Sequence, residues 1–190
     1  MREKLTPFAA AAQNRIKRQT RRPSRCLAPP LPPNSIWKAR AEGKLKFFAW
    51  LLVQAKILTA DKLALRHWPC NPVCSLCDQE AETTVHLCIH CPFAKEVWVL
   101  VKNWVREHIV DIDEDVQTLQ TWWEKSMHGR SATQQKTTAT ILMYSAWNIW
   151  KEHNRRTFEG TTRTPAQVLR LTKEEVGIFS RATGKLDLPS

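Results

Sequence analysis

The stretch CSLCDQEAETTVHLCIHC, residues 74–91, decides how the rest of the chain is interpreted. Cys74 and Cys77 form a Cys-x2-Cys pair, and after eight intervening residues His86 and Cys91 form a second pair. Two thiolates three positions apart bind one ion from a tight turn, and a second pair completes the tetrahedron. Three thiolates and one imidazole leave no position open for an activated water. The stretch therefore predicts one structural Zn²⁺ ion rather than a catalytic metal.

The same stretch permits other ligand sets. Cys88 and Cys91 form another Cys-x2-Cys pair, so Cys88 can replace His86 as the fourth ligand, and His90 is a further competitor. Spacing alone does not choose between His86 and Cys88. A redox-active cysteine pair or a disulfide is the alternative to zinc, but neither explains a second Cys/His pair so close by.

Composition favours helices. A chain of 190 residues can hold one domain with a real core. It has nine tryptophans but only five glycines and one tyrosine, which suits helices better than a turn-rich β fold. We predict an all-α, mainly helical domain over residues 35–183, with a small zinc-stabilised knuckle at 70–92. A basic, proline-rich arm (1–34) precedes this domain, and a short tail (184–190) follows it.

Positive charge is concentrated in the arm and just beyond it. The formal net charge is +11, and residues 1–46 contain 12 Lys/Arg against Glu3 and Glu42. Within the arm, IKRQTRRPSR (16–25) is followed by APPLPPNS (28–35), whose prolines favour extended backbone, so we expect the arm to be disordered. A basic arm of this kind usually indicates nucleic acid, an import receptor or an acidic surface.

RNA or DNA is the partner that this charge favours, through salt-sensitive contacts with phosphates. The candidate contact residues are Arg15, Lys17, Arg18, Arg21, Arg22, Arg25, Lys38, Arg40, Lys44 and Lys46. The knuckle itself is a poor phosphate site, because residues 67–94 contain no Lys or Arg and three thiolates on Zn²⁺ leave a net negative charge. We therefore expect the zinc to support the fold while another surface contacts nucleic acid.

The sequence also gives expectations for location. Lys17, Arg18, Arg21 and Arg22 match a nuclear import signal, with a mitochondrial presequence as the alternative. Clustered cysteines without an apolar signal segment indicate a reducing, intracellular compartment. The longest apolar run, 47–53, is far shorter than the roughly 20 residues that a membrane span needs, so no membrane span is predicted.

Periodicity predicts six helices, with capping residues at two of their starts. Thr59 is the expected N-cap of the second helix, and Thr164 with Pro165 opens the last. Their expected ranges are 44–54, 60–67, 93–107, 116–127, 132–155 and 165–183. Apolar residues cover more than one face of 132–155, which predicts a central helix with neighbours on two sides. Tryptophans 37, 50 and 68 lie in apolar patterns and are expected in the core or at helix caps.

Nothing in the sequence indicates an enzyme. It shows no Ser/His/Asp set, no glycine-rich phosphate loop and no open metal site. Histidines 108, 128 and 153 stand alone in helical contexts and are expected to face solvent or lie at helix ends. The acidic residues of 111–115 are expected to favour the positive N-terminal end of the next helix.

Three separated blocks together resemble one family. They are IWKARAEGKLKFFAWLLVQAKILTADKLALRHWP (36–69), CSLCDQEAETTVHLCIHCPFAKEVW (74–98) and AWNIWKEHNRRTFEG (146–160). In this order they resemble the zinc-binding domain downstream of the reverse transcriptase in plant LINE-type (non-LTR) retrotransposons, over about residues 36–181. The resemblance favours Cys74, Cys77, His86 and Cys91 as ligands, since the family has a bulky apolar residue where this chain has Cys88.

The resemblance also implies a function. In the family, this domain belongs to a polyprotein with endonuclease and reverse transcriptase modules, and no polymerase carboxylate motif or nuclease core is evident in this sequence. It implies a non-catalytic zinc-binding accessory domain that contributes to nucleic-acid binding, as a detached fragment or a transposon remnant. The alternative is a protein interaction module whose tryptophan-rich surface packs on a reverse transcriptase, on a nuclease or on another copy of the chain.

Overall fold

The computed structural model describes residues 33–105 and 116–184, and helices make up most of this part of the chain. They are α1 (Asn34–Lys38), α2 (Gly43–Val53), α3 (Ala60–Leu65), a π-helical turn (His86–His90), α4 (Pro92–Val105), α5 (Leu119–Met127), α6 (Ala132–Glu159) and α7 (Pro165–Thr183). Over the described ranges, the only β pairing is an isolated antiparallel bridge between Val73 and Ala81. The predicted all-α class with a small knuckle is confirmed.

Helix α6 is the central element of the fold. It packs against α1, α2, α4, α5, α7 and the π-helical turn. Its middle contributes a continuous run of buried residues from Thr137 to Ala146, because neighbours lie on several sides. The prediction of a central helix with neighbours on more than one side is therefore confirmed.

Local signals explain where α6 begins and ends. Ser131 and Gln134 form a capping box, with the Gln134 N–H donating to Ser131 Oγ at 3.3 Å and the Ser131 N–H donating to Gln134 Oε1 at 2.9 Å. The helix continues four residues past the predicted end at 155, because its stop signal is Gly160. Gly160 takes a left-handed conformation with φ of 64°, which other residues adopt only at a cost.

Two predicted helix starts can be compared with the observed caps. Thr164 and Pro165 open α7 as predicted, with the Gln167 N–H donating to Thr164 Oγ1 at 3.3 Å. Helix α5 starts three residues later than predicted, because Thr118 is extended and its hydroxyl accepts the Thr121 N–H at 3.1 Å.

Two of the three tryptophans expected in the core or at caps are exposed. Trp37 is 48% and Trp68 is 53% exposed, whereas Trp50 is half-buried. The one-turn helix α1 buries Ile36 instead of Trp37. Trp68 follows His67, whose φ of 56° turns the backbone, and the Arg66 guanidinium lies 5.9 Å from the Trp68 ring centroid.

Several predictions concern residues outside the described ranges. They include the disordered character of the arm, the six arm residues predicted to contact phosphates, His108, the acidic residues of 111–115 and most of the tail. Within the described ranges, no helix combines the length and apolar character needed to cross a membrane.

Candidate metal centre

The four predicted metal ligands come together in space. One ligand atom from each of Cys74, Cys77, His86 and Cys91 lies within 4.8 Å of the other three. Cys77 Sγ and His86 Nε2 are 3.4 Å apart. Tetrahedral zinc with bonds of about 2.3 Å to sulfur and 2.0 Å to nitrogen would separate such a pair by about 3.5 Å. The donor set and its spacing therefore fit one zinc ion.

A tight reversal of the chain presents the first two thiols. The Cys74 N–H donates to the Glu80 carbonyl and the Asp78 N–H donates to the Cys74 carbonyl, both at 2.9 Å. Asp78 has a φ of 53°, and Asp tolerates this left-handed region better than most residues. The Val73–Ala81 bridge closes the base of the reversal.

A π-helical turn presents the second pair. Residues five apart in an α-helix point about 140° away from each other around the axis. Here the Cys91 N–H donates to the His86 carbonyl at 2.7 Å, and this i to i+5 bond makes a wider turn that brings both side chains to the cluster. Pro92 disfavours a helical conformation for Cys91, whose ψ is 129°, and α4 then begins at Pro92.

The thiols differ in their affinity for protons. The Cys74 thiol donates to the Cys91 sulfur, and this hydrogen bond lowers the pKa of Cys91 to about 4. The same bond, with burial, raises the pKa of Cys74 far above its ordinary value, and burial raises the pKa of Cys77. Thiols whose pKa is raised must release their protons when they bind a metal as thiolates.

The competing ligands lie outside the cluster. Cys88 is only 1% exposed and belongs to the hydrophobic core, and burial raises its pKa. Its carbonyl accepts the indole N–H of Trp98 at 2.7 Å. His90 Nε2 lies 2.9 Å from the Val116 carbonyl. The structure thus groups His86, rather than Cys88 or His90, with the three cysteines.

Arg156 of α6 supports the metal cluster from outside. Its Nη1 donates at 2.9 Å to the Leu76 carbonyl, which lies between the two cysteines of the first pair. Its Nε donates at 2.9 Å to the fully buried carboxylate of Glu152, which also pairs with Arg155. The guanidinium lies 4.5 Å from the Phe93 ring centroid. A cation thus reaches a knuckle whose own sequence contains neither Lys nor Arg.

A buried side-chain contact makes a second link between α6 and the knuckle. His153 Nε2 lies 2.8 Å from Glu82 Oε2, and both side chains are 6% exposed. The other Glu82 oxygen accepts the Ala60 N–H at 2.9 Å and so caps α3. Thr59 occupies the N-cap position as predicted but makes no capping bond, since its hydroxyl lies 2.5 Å from Asp61 Oδ1. The expectation of a solvent-facing or helix-end His153 is wrong.

Sequence reasoning missed this support because no spacing rule relates α6 to a knuckle about 80 positions earlier. The signal that was available is the sequence EHNRRT (152–157) inside an otherwise apolar helix. Its second Arg lies three positions after the His and four after the Glu, so these side chains lie toward the same side of α6. Buried charged residues need partners, and the acid-rich knuckle supplies some of them.

The described residues also include some of the predicted phosphate contacts. Lys44 pairs with Glu42 at 2.8 Å, and this hydrogen bond raises the pKa of Lys44. Lys46 Nζ donates to the Trp37 carbonyl at 3.0 Å. Lys44 is therefore compensated by an acid, whereas the Lys46 ammonium bonds to the backbone carbonyl of Trp37, whose side chain is exposed.

Comparison with known proteins agrees with the metal cluster. Residues 18–98 match the family described as zinc-binding in reverse transcriptase. This confirms the resemblance stated from the sequence, and the matched range contains all four residues of the cluster. Its described part holds α1 to α3, the π-helical turn and the start of α4.

A relative covers more of the chain. A protein of Arabidopsis thaliana named "Putative ribonuclease H protein" is 24% identical over 153 residues, which is 80% of this chain and 24% of the relative. The chain thus spans about a quarter of that protein's length. No solved structure matches this chain.

Proposed function

We propose that this chain is a non-catalytic accessory domain of a reverse-transcriptase-related protein, in which one zinc ion stabilises the fold. The cluster of four ligand atoms within 4.8 Å carries this proposal. Cys74, Cys77, His86 and Cys91 would fill all four tetrahedral positions, so bound zinc would have no site for substrate or water. The zinc would join the two knuckle segments while Arg156 and His153 hold them against α6.

The proposed activity is binding of RNA or DNA by a surface other than the knuckle. Around the cluster, Asp78 and Glu80 are exposed, and Arg156 is already engaged by carbonyls and by Glu152. Three thiolates would leave the zinc site net negative, which disfavours phosphate. The positive charge of the N-terminal 46 residues supports the proposal of phosphate contacts there.

Salt dependence tests this proposal. Anisotropy of labelled RNA and DNA oligonucleotides should show a dissociation constant that rises steeply with salt, and each lost phosphate contact should reduce the logarithmic slope by about 0.7 to 0.9. The arm variant combines Arg21→Gln, Arg22→Gln and Arg25→Gln. The matched control removes the same charge from the helices through Lys95→Gln, Lys136→Gln and Arg181→Gln. Equal effects of the two variants would contradict binding through the arm.

The absence of catalysis needs its own measurement. The Arabidopsis relative carries the name of a ribonuclease H protein, so cleavage of an RNA–DNA hybrid is the activity to examine. We expect the hybrid to remain intact when the purified chain and Mg²⁺ are added. Cleavage that persists through purification would overturn the non-catalytic part of the proposal.

A protein interaction module is the second candidate. Val99 on α4 is 57% exposed and Ile178 on α7 is 60% exposed, and these two helices pack together. If exposed apolar side chains of these two helices form one contiguous patch, that patch is a candidate docking surface. Sedimentation at high salt distinguishes the candidates, because apolar association persists there while phosphate contacts weaken.

We also propose that the basic arm directs the chain to the nucleus. The basic residues Lys17, Arg18, Arg21 and Arg22 would act as the import signal. A fluorescent protein fused to residues 1–34 should accumulate in the nucleus, and substitution of all four residues by Gln should abolish this. Mitochondrial accumulation would instead identify a presequence.

A further inference from the structure

One surface of the described chain combines exposed aromatic rings with lysines. We call it the aromatic face, and it consists of Trp37, Lys46, Phe47, Trp50 and Lys56. Phe47 is 54% exposed and Trp37 is 48% exposed. The Phe47 and Trp50 rings stack, with centroids 5.5 Å apart and planes inclined at 27°. Phe47 and Trp37 thus present aromatic surface to solvent, and the Phe47 ring is stacked on a second aromatic ring.

The direction of α2 produces this face. Phe48 points into the core, where its ring centroid lies 5.0 Å from that of Trp147. Phe47 and Trp50 are three positions apart and lie on the same side of the helix. Because Phe48 already fills the core position, these two rings are left on the outer side of α2.

Two ammonium groups belong to the same face. Lys46 Nζ donates to the Trp37 carbonyl at 3.0 Å, and Lys56 Nζ lies 5.4 Å from the centroid of the Trp50 ring. Within residues 33–105 and 116–184, neither lysine pairs with an acidic side chain. Positive charge thus alternates with aromatic rings along α1, α2 and the segment that follows.

We propose that the aromatic face binds single-stranded nucleic acid, an inference that rests on the proposed nucleic-acid function and specifies its substrate class. Unpaired bases stack on Trp37 and Phe47, and Lys46 and Lys56 contact the phosphates between them. Base stacking on aromatic side chains requires an exposed base face, which a duplex does not offer. The contacts are therefore selective for single strands and tolerant of base sequence.

Charge favours this occupant over an apolar protein surface. A protein that covers the rings would also bury Lys46 and Lys56 and would need to supply acidic partners for both. A phosphate backbone supplies negative charge at every nucleotide while its bases cover the rings. The aromatic rings of the face thus match the bases of a single strand, and its lysines match the phosphates.

The chain offers matched control residues. Trp68 is 53% exposed and has Arg66 beside its ring, so it resembles Trp37 in exposure and has a cationic neighbour. Phe158 is 79% exposed and lies near the end of α6, 11 residues beyond Trp147. At 1.5 Å per residue, this places Phe158 about 16 Å along the helix from the level of Phe48.

The test compares four variants of the full chain: Trp37→Ala, Phe47→Ala, Trp68→Ala and Phe158→Ala. Anisotropy would measure their affinity for a labelled oligo-dT and oligo-U of about 12 nucleotides, and for a duplex of the same length. Loss of one base-stacking contact should weaken single-strand binding by roughly five-fold or more for Trp37→Ala and Phe47→Ala. We expect duplex affinity to be unchanged and the two control variants to bind like the original chain. Helical circular dichroism and zinc content should be the same for all four.

The other possible outcomes separate the aromatic face from the proposed nucleic-acid function. If the chain binds single strands but Trp37→Ala and Phe47→Ala behave like the controls, the aromatic face is not the site, while the proposed function stands. If the chain binds neither RNA nor DNA at low salt, both proposals fail. If Phe47→Ala instead removes self-association seen by sedimentation at high salt, the face is a protein interface and the inference is overturned.

Discussion

Replacing Arg156 with alanine tests how α6 supports the metal centre. The Arg156 guanidinium donates to the Leu76 carbonyl at 2.9 Å, inside the turn that carries the first cysteine pair. It also donates to Glu152 at 2.9 Å and to the Arg163 carbonyl at 3.1 Å. The substitution removes all of these bonds while leaving the four proposed ligands in place.

The structure sets the expected magnitudes. Glu152 is fully buried, and removal of one partner from a buried ion pair costs about 3–5 kcal/mol of unfolding free energy. Glu152 keeps Arg155 and the Arg163 N–H, which donates at 2.7 Å, so we expect about 3 kcal/mol. Loss of an outer partner of a metal site typically weakens metal binding about 10- to 100-fold, and we expect the zinc dissociation constant to rise within that range.

Competition with a chromophoric chelator measures the zinc affinity, and denaturant unfolding of the zinc-loaded chain measures stability. Arg155→Ala is the matched control, because the Arg155 guanidinium pairs with the same Glu152 carboxylate and does not replace the bond to the knuckle. We expect both variants to lose stability and only Arg156→Ala to lose zinc affinity. Arg156→Lys should fall between Arg156→Ala and the original chain, since Lys keeps the charge but not the fork of donors.

Equal zinc dissociation constants for Arg156→Ala and Arg155→Ala would contradict a supporting role of Arg156 at the metal centre. The bond to the Leu76 carbonyl would then contribute nothing to the metal site, and Arg156 would act only as a partner of Glu152. An unchanged zinc affinity together with a large loss of stability would lead to the same conclusion.

Three further predictions concern the knuckle and its surroundings. Cys88→Ala should keep one zinc per chain and lower the free energy of unfolding by roughly 1 kcal/mol, because it only shortens a core side chain. His86→Ala should lose tight zinc binding. Metal analysis after dialysis checks both variants, and the reverse result would identify Cys88 as the ligand. Zinc affinity should rise with pH between about 5 and 8, because two cluster thiols with raised pKa values must lose protons before they bind zinc. Addition of zinc at pH 7 should therefore release protons, and the absence of proton release would contradict this expectation. His153→Leu leaves the buried Glu82 side chain without this hydrogen-bond partner and should cost about 1–3 kcal/mol in denaturant unfolding. Glu82→Gln in the same chain should recover part of that loss, and a purely additive effect of the two changes would sink the proposed coupling.

Local sequence signals were sufficient for much of the fold. Thr164 and Pro165 open α7 through the backbone preference of Pro165 and a bond between Thr164 and Gln167, three positions later, so their pattern can be read directly from the sequence. The cluster of Cys74, Cys77, His86 and Cys91 followed from ligand spacing once the family resemblance was added. Spacing alone left Cys88 equivalent to His86, because it does not reveal a π-helical turn that directs His86 to the cluster and Cys88 to the core.

Contacts between residues that are far apart in the chain could not be predicted from the sequence. The solvent-facing assignment of His153 was wrong because its partner Glu82 lies 71 positions away. The burial expected for Trp37 failed for a related reason, since Ile36 took the core position beside it. In both cases the deciding contact depends on how α6 and α1 dock, and no local pattern encodes that docking.

Zinc content measured together with helicity is the decisive experiment for a structural zinc site in this chain. The chain would be purified under reducing conditions, its zinc counted per chain, and its helical circular dichroism followed while a chelator is added. We expect one zinc per chain and a loss of helical signal as the metal is removed, because the zinc joins segments that α6 packs against. A chain without metal, or a helical spectrum that is unchanged after complete chelation, would contradict a structural zinc site.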